Sequence, residues 1–295
     1  MTAIETGLQD LRRRHPEWEP WLAVVQEVLS ESINPEWDSL VPIRSESQQS
    51  KVPLLAGITL TLERRAIHRL LEKLILIAHR SGTPAMASLE PALHRDLDLL
   101  SLFKASLCQD RDRLKDIAAY LGADAEAFQA VATLLPVPLL HACNRRWAAS
   151  KSPSWTEGYC PVCGAWPAFS EVRGIERSRY FRCGRCGSEW QARALFCPYC
   201  GMTDHNELVS LVPEKSGSNS VIDACQRCLG YVKTFTTLQG SPPAKVMIDD
   251  LASVDLDIAA MQQGYKRPDG AGYALDVIVV GKAMPKPSFF AWSWS

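Results

Sequence analysis

Over the first 150 or so residues, apolar positions recur at the spacing of a helix face. Ile4, Leu8 and Leu11 form a short stripe that Pro16 ends, and Leu22, Val25, Val28 and Leu29 form a second over about 20 to 33. The triplet Pro-Glu-Trp occurs at 16–18 and at 35–37. Proline followed by glutamate suits a first helical turn, so both are read as helix starts, with Trp18 and Trp37 partly buried. A polar loop is expected at 45–50, followed by VPLLAG (52–57), an apolar segment broken by proline and glycine. The pattern predicts helices over about 62 to 79, 88 to 107 and 110 to 121, the last stopped by Gly122. Asp124 can cap the next helix, 134–138 interrupts it, and Pro138 can open another.

Beyond residue 154 the period changes from helix to strand. Strands are expected at 168–172, 179–182 and 188–191, then at 207–212, 220–224 and 231–236, with turns at Gly174, Gly187 and 216–219. After a proline-containing linker at 241–244, residues 246–264 read as one helix with Leu251, Val254, Ile258 and Met261 on a stripe. Gly264 stops it. Its acidic face, Asp249, Asp250, Asp255 and Asp257, is expected to be solvated. The tail after Pro268 reads as poorly ordered, or at most as one added strand around 275–280.

The strand region carries the chemistry. Four Cys-x-x-Cys pairs lie within it: Cys160/Cys163, Cys183/Cys186, Cys197/Cys200 and Cys225/Cys228. Two thiolates at i and i+3 can grip one ion from a tight turn, and two such turns close a tetrahedral four-sulfur site. The first and third pairs share Cys-Pro-x-Cys-Gly, with Pro161 and Gly164, then Pro198 and Gly201. Proline fixes φ at the loop entry and glycine accepts a left-handed exit, which leaves amides free to point at sulfur. The repeat therefore assigns Cys160, Cys163, Cys183 and Cys186 to one site and Cys197, Cys200, Cys225 and Cys228 to the other. An interleaved pairing of the first turn with the third would break it. By geometry zinc and iron both suit four thiolates, and structural ribbons of this spacing commonly hold zinc. A dithiol oxidoreductase wants one reactive pair at a helix start. Trp166, Phe169, Tyr180, Phe181, Trp190, Phe196 and Tyr199 are expected to jacket the sulfurs.

Charge narrows the partners. The whole chain has a formal net charge of −1. Residues 155–240 hold nine Lys/Arg against eight Asp/Glu. That balance gives no basic footprint for nucleic acid. A zinc-ribbon nucleic-acid-binding regulator stays open as an alternative on the ribbon spacing and on Arg177, Arg179 and Arg185 taken as exposed. A rubredoxin-like electron carrier is a further alternative. The N-terminus lacks the apolar core of a secretory signal, and no apolar run approaches a bilayer span. Eight cysteines at metal spacing then fit a reducing cytoplasm. Cys108 and Cys143 read as small buried hydrophobes. His68, His79, His94 and His141 show no ligand spacing and read as surface or satisfied core groups.

Taken in order, several stretches resemble the formate dehydrogenase accessory protein family, FdhE. They are VPLLAG (52–57), Pro138-Leu139-Leu140 with Ala142-Cys143, GYCPVCG (158–164), RYFRC (179–183) and SEW (188–190). Cys225 and Cys228 with GYVK (230–233), and DDLAS (249–253) leading to Gly264-Tyr265, complete the set. The resemblance implies a cytoplasmic, non-enzymatic, chaperone-like maturation factor. Its client would be the catalytic subunit of a respiratory formate dehydrogenase, met before export, with no nucleic acid and no membrane insertion. It also implies rubredoxin-type iron, held by all eight cysteines. Two departures stand out: Leu229 follows Cys228 where glycine is usual, and the tail after Pro268 has no placed counterpart. The expected fold class is α+β multidomain. An all-α helical domain (1–153) precedes two tandem rubredoxin-like or zinc-ribbon modules (154–192 and 193–240). A C-terminal helix (241–268) and a poorly ordered tail (269–295) follow.

Overall fold

Aspartates start three of the helices. Asp98 accepts from the amides of Leu100 and Ser101, Asp110 from Arg113 and Asp124 from Ala127, which satisfies N–H groups that have no partner inside a helix. The structure, a computed structural model, describes residues 3–44, 51–80, 83–212 and 219–282. The expected loop at 45–50 and most of the turn at 216–219 lie outside these residues.

The helical part comprises α1 (Ala3–Arg14), α2 (Glu19–Glu31), α3 (Glu36–Ser39), α4 (Arg64–His79), α5 (Pro84–Ala87), α6 (Pro91–His94), α7 (Leu99–Cys108), α8 (Arg111–Leu121), α9 (Ala125–Ala132) and α10 (Val137–Arg146). The helix expected over 88 to 107 is two separate helices, α6 and α7. Pro91 opens α6, Arg95 turns extended with ψ 151°, and Asp98 begins α7. Leu62 does not begin α4 but ends a strand, β1 (Thr59–Leu62). The longest apolar stretch, Ala125–Arg146, is α9 and α10, and 78% of its apolar window is buried in the protein.

The cysteine region forms one six-stranded sheet. Its strands are β2 (Phe169–Arg173), β3 (Ser178–Arg182), β4 (Glu189–Ala192), β5 (Leu208–Leu211), β6 (Ser220–Cys225) and β7 (Tyr231–Thr237), in spatial order β4-β3-β2-β7-β6-β5. Each half is an antiparallel meander, and the halves meet head to tail where β2 runs parallel to β7. A polar seam fixes that junction. Ser170 Oγ lies 2.6 Å from Thr234 Oγ1, whose hydroxyl donates to Asp223 at 2.6 Å. Arg179, buried at 6% exposure, donates to Asp223 and to the carbonyls of Ala194 and Phe196 in the segment between the halves.

Two helices, α11 (Val246–Leu251) and α12 (Val254–Gln262), stand where one was expected. The break lies where side chains take over the backbone carbonyls. Ser253 Oγ donates to the carbonyls of Asp249 and Asp250, and the Lys233 ammonium donates to that of Asp250 at 2.7 Å. Ile248 of α11 packs among Leu8, Leu11, Leu22, Val25 and Leu29, whereas Leu256 and Ala260 of α12 pack on Ile222, Ala224 and Tyr231 of the sheet. The pair thus ties the N-terminal helices to the second half of the sheet. The acidic face is not simply solvated either. Asp250 and Asp257 both pair with Lys233, which has 0% exposure, and with Arg267. From the tail, β8 (Ile278–Gly281) pairs in parallel with β1, which gives the helical part a two-stranded sheet. Residues 283–295 lie outside the described part.

Candidate metal centres

Each cysteine pair sits on a knuckle of the same shape. The N–H of the first cysteine donates to the carbonyl two residues past the second: Cys160 to Ala165, Cys183 to Ser188, Cys197 to Met202 and Cys225 to Gly230, at 2.8–2.9 Å. The residue after the second cysteine is left-handed in every case. It is glycine at Gly164, Gly187 and Gly201, with φ of 68–74°, and Leu229 at φ 55° in the fourth. The Val162 amide points at Cys160 Sγ at 3.4 Å, and the Met202 amide points at Cys200. Strands set the spacing between knuckles, because β2 and β3 return the second knuckle to the first and β5 and β6 return the fourth to the third.

The structure brings Cys160, Cys163, Cys183 and Cys186 together, and likewise Cys197, Cys200, Cys225 and Cys228, with all four sulfurs of each set within 4.8 Å of one another. No interleaved set forms among the described residues. Sulfurs lie 3.5 Å apart across Cys160–Cys186 and Cys163–Cys183, and 3.6 and 3.7 Å apart across Cys197–Cys228 and Cys200–Cys225. A metal–sulfur distance near 2.3 Å in a tetrahedron gives an edge of about 3.8 Å. A disulfide would need about 2.05 Å, and all ten cysteines are free thiols.

Protonation points the same way. Burial pushes the Cys160 and Cys186 thiols well up. Burial also acts on Cys183, but the three thiols directed at it outweigh that effect and hold it well below the ordinary thiol range. In the second set burial raises Cys228 to about 11 and raises Cys197, whereas the Met202 amide and neighbouring thiols bring Cys200 down against its own burial. Without a cation such a set favours charge on one sulfur. A soft divalent ion removes the conflict by keeping every ligating thiol deprotonated. The donor set and its spacing therefore fit one soft ion per cluster.

The clusters differ in setting. All four sulfur residues of the first are at 0% exposure and belong to the same apolar core as the helices. VPLLAG forms part of its roof: the amides of Leu54 and Leu55 donate to the carbonyls of Pro161 and Val162 at 2.8 and 3.0 Å. Phe181 and Trp190 share this core, with Phe196 packed against it. The rest of the aromatic jacket is dispersed. Phe169 meets Phe235, Tyr180 lies under the Arg173 guanidinium, and Trp166 and Tyr199 pack edge to face. In the second cluster Cys200 is exposed and Cys228 half-buried.

Two arginines depart from their sequence reading. Arg179 and Arg185 are not exposed: the first is buried at the sheet junction, and the second donates to the carbonyls of Ser106 and Leu107. Of the three arginines cited for nucleic acid, Arg177 alone is exposed. Lys233 passed without notice because only the fold brings its carboxylate partners together. His141 is a buried core group on α10. Burial pushes its imidazole down to about 4 although the nearby Cys183 raises it, so the ring is neutral at neutral pH. Cys143 is buried, as expected of a small hydrophobe, and Cys108 is partly so.

The fold has a known counterpart. The crystal structure of the FdhE protein from Pseudomonas aeruginosa superposes with a TM-score of 0.60 over 92% of this chain and 94% of that one. Its identity is 22%, so what is shared there is the fold. A curated FdhE homolog from Aquifex aeolicus is 31% identical over 114 residues, and the FdhE protein of an Escherichia coli strain is 33% identical over 111. Those matches span 38% and 37% of this chain and only 40% and 35% of the relatives' own lengths. The central-domain model of FdhE matches residues 159–193 and its C-terminal-domain model residues 195–273, so the match continues past Pro268 into the tail. Over residues 159–273 the chain is thus similar to the FdhE family, with the two domain models found in order and each spanning one four-thiol cluster.

Proposed function

We propose that this protein is a metal-binding accessory factor for formate dehydrogenase, not itself an enzyme, and that it engages the enzyme's catalytic subunit in the cytoplasm before export. The observation that carries this reading is the pair of four-thiol clusters in a chain similar to the FdhE family, one of them built into the core that joins sheet and helices. The proposed ligands are Cys160, Cys163, Cys183 and Cys186 for one ion and Cys197, Cys200, Cys225 and Cys228 for the other. Iron is the proposed metal. Bound iron would supply a one-electron couple, while the amides of the knuckles hold the sulfurs in place. Zinc in freshly isolated protein would leave the ligand set intact and remove that redox role. The segments 1–153, 154–192, 193–240 and 241–268 are proposed as the helical, first-module, second-module and C-terminal units, with the helical unit and sheet together forming the surface that meets the client.

The test is co-purification of the tagged protein with formate dehydrogenase catalytic subunit from the same cell, paired with a deletion strain. Association and loss of respiratory formate dehydrogenase activity are expected. Absence of association together with full activity in the deletion strain would defeat the proposal.

A further inference from the structure

The two clusters repeat each other in backbone but not in access to water. The first is closed on every side described. VPLLAG covers the first knuckle, the Tyr273 amide donates to Gly164 at 2.9 Å, and Arg185 binds the second knuckle to α7. Gly187 lies so close to the 241–244 linker that a Cβ there would sit 2.6 Å from the Pro243 carbonyl oxygen. The second cluster has no such cover over one vertex. Cys200 is exposed, Gly201 and Thr203–His205 around it are exposed, and Leu229 beside Cys228 is 49% exposed. Its fourth knuckle is held by backbone bonds at Leu229, which accepts from the Lys266 amide, and at Gln226, which donates to the Glu207 carbonyl, and Cys200 stays exposed beside it.

We infer that the second cluster is the centre at which a metal ion is gained and lost, through the exposed Cys200 vertex, and that the first is a sealed staple. This rests on the proposal that both clusters hold metal. Displacing a thiolate from a tetrahedral ion requires that an incoming donor reach the ion, or that the departing sulfur meet a proton. Both need contact with water. At Cys200 one metal–sulfur bond gives way to one bond from a soft donor, a small thiol or a chelating amine. The freed thiolate takes a proton from water and nothing is oxidised. At the first cluster the same exchange must wait for the core to open, and opening of a packed unit is rare. The division also gives the metals different duties: the buried ion holds the helix–sheet junction, and the open one faces whatever exchanges it.

The experiment uses full-length protein loaded anaerobically with two equivalents of cobalt(II), whose thiolate charge-transfer absorption reports each centre. With excess EDTA, release is expected in two phases of equal amplitude, their rates separated by at least about a hundredfold. The combined variant Cys197→Ser, Cys200→Ser should lack the fast phase and keep the slow one. On unaltered metal-loaded protein, iodoacetamide followed by peptide mass mapping should label Cys200 and then Cys228 before Cys160, Cys163, Cys183 or Cys186. A single phase, a fast phase that survives in the variant, or equally early labelling of the first cluster would overturn the inference while leaving the metal reading intact. A chain that takes up no cobalt would defeat that reading and this inference with it.

Discussion

Arg185, between the two cysteines of the second knuckle, donates to the Ser106 carbonyl at 2.7 Å and to the Leu107 carbonyl at 3.0 Å. These carbonyls lie in the last turn of α7, at its negative end, where Ser106 otherwise accepts only a long 3.4 Å bond from the Gln109 amide. One side chain therefore belongs to the first four-thiol cluster by sequence and to the helical part by bonding. Truncation as Arg185→Ala should cost about 1.5–3 kcal/mol, the range for hydrogen bonds to a charged donor. Thermal melts of metal-loaded protein should show the loss, with the metal content per chain unchanged. A melt identical to the parent would mean that the contact does not join the two parts.

Leu229 occupies the left-handed position that glycine fills in the other three knuckles. A non-glycine residue there carries roughly 1–2 kcal/mol of strain, part of which glycine returns as chain entropy in the unfolded state. Leu229 is half exposed, so little burial is lost. Leu229→Gly should stabilise the protein by about 0.5–1 kcal/mol, read as a shift in urea midpoint at constant slope.

Gly158 lies where a Cβ would come within 1.8 Å of the Pro198 carbonyl oxygen, so the entry to the first knuckle presses on the backbone of the third. Neither side is the end of a flexible side chain, and room must come from backbone movement. Gly158→Ala should destabilise by about 2–3 kcal/mol, as overpacking does. Denaturant unfolding followed by tryptophan fluorescence would measure it.

Much of this architecture was legible beforehand. The six sheet strands follow the period-two pattern that the cysteine pairs bracket, and local chemistry marked the caps at Asp124 and Gly122. What escaped was non-local. β1 and β8 are four residues each, and each finds its partner more than 200 positions away. The break between α11 and α12 depends on Lys233 reaching in from β7, and nothing in the helix's own sequence announces that. The contrast between the clusters was invisible too, because identical knuckles differ only in what the rest of the chain lays over them.

The Lys233 site makes a pH prediction. Burial opposes ionisation of Asp250, but Arg267 and Lys233 outweigh it and hold the carboxyl below its ordinary 3.8. A carboxyl lowered in the folded state contributes stability above its unfolded pKa and loses it as pH falls through the folded value. Asp250→Asn should therefore cost about 3 kcal/mol at pH 6, because it removes one carboxylate partner from the buried ion pairs with Lys233 and Arg267. The gap between variant and parent should narrow as pH falls below 3.8. Urea midpoints of both proteins at pH 3 and pH 6 provide the check, and a gap that widens in acid would reverse the assignment.

The central claim is that two groups of four thiols each cage one ion. Elemental analysis of anaerobically isolated protein tests it most directly, with Cys163→Ser and Cys197→Ser run alongside. The account predicts two metal ions per chain in the parent and one in each variant. Metal-free parent protein, or variants that keep both ions, would contradict it.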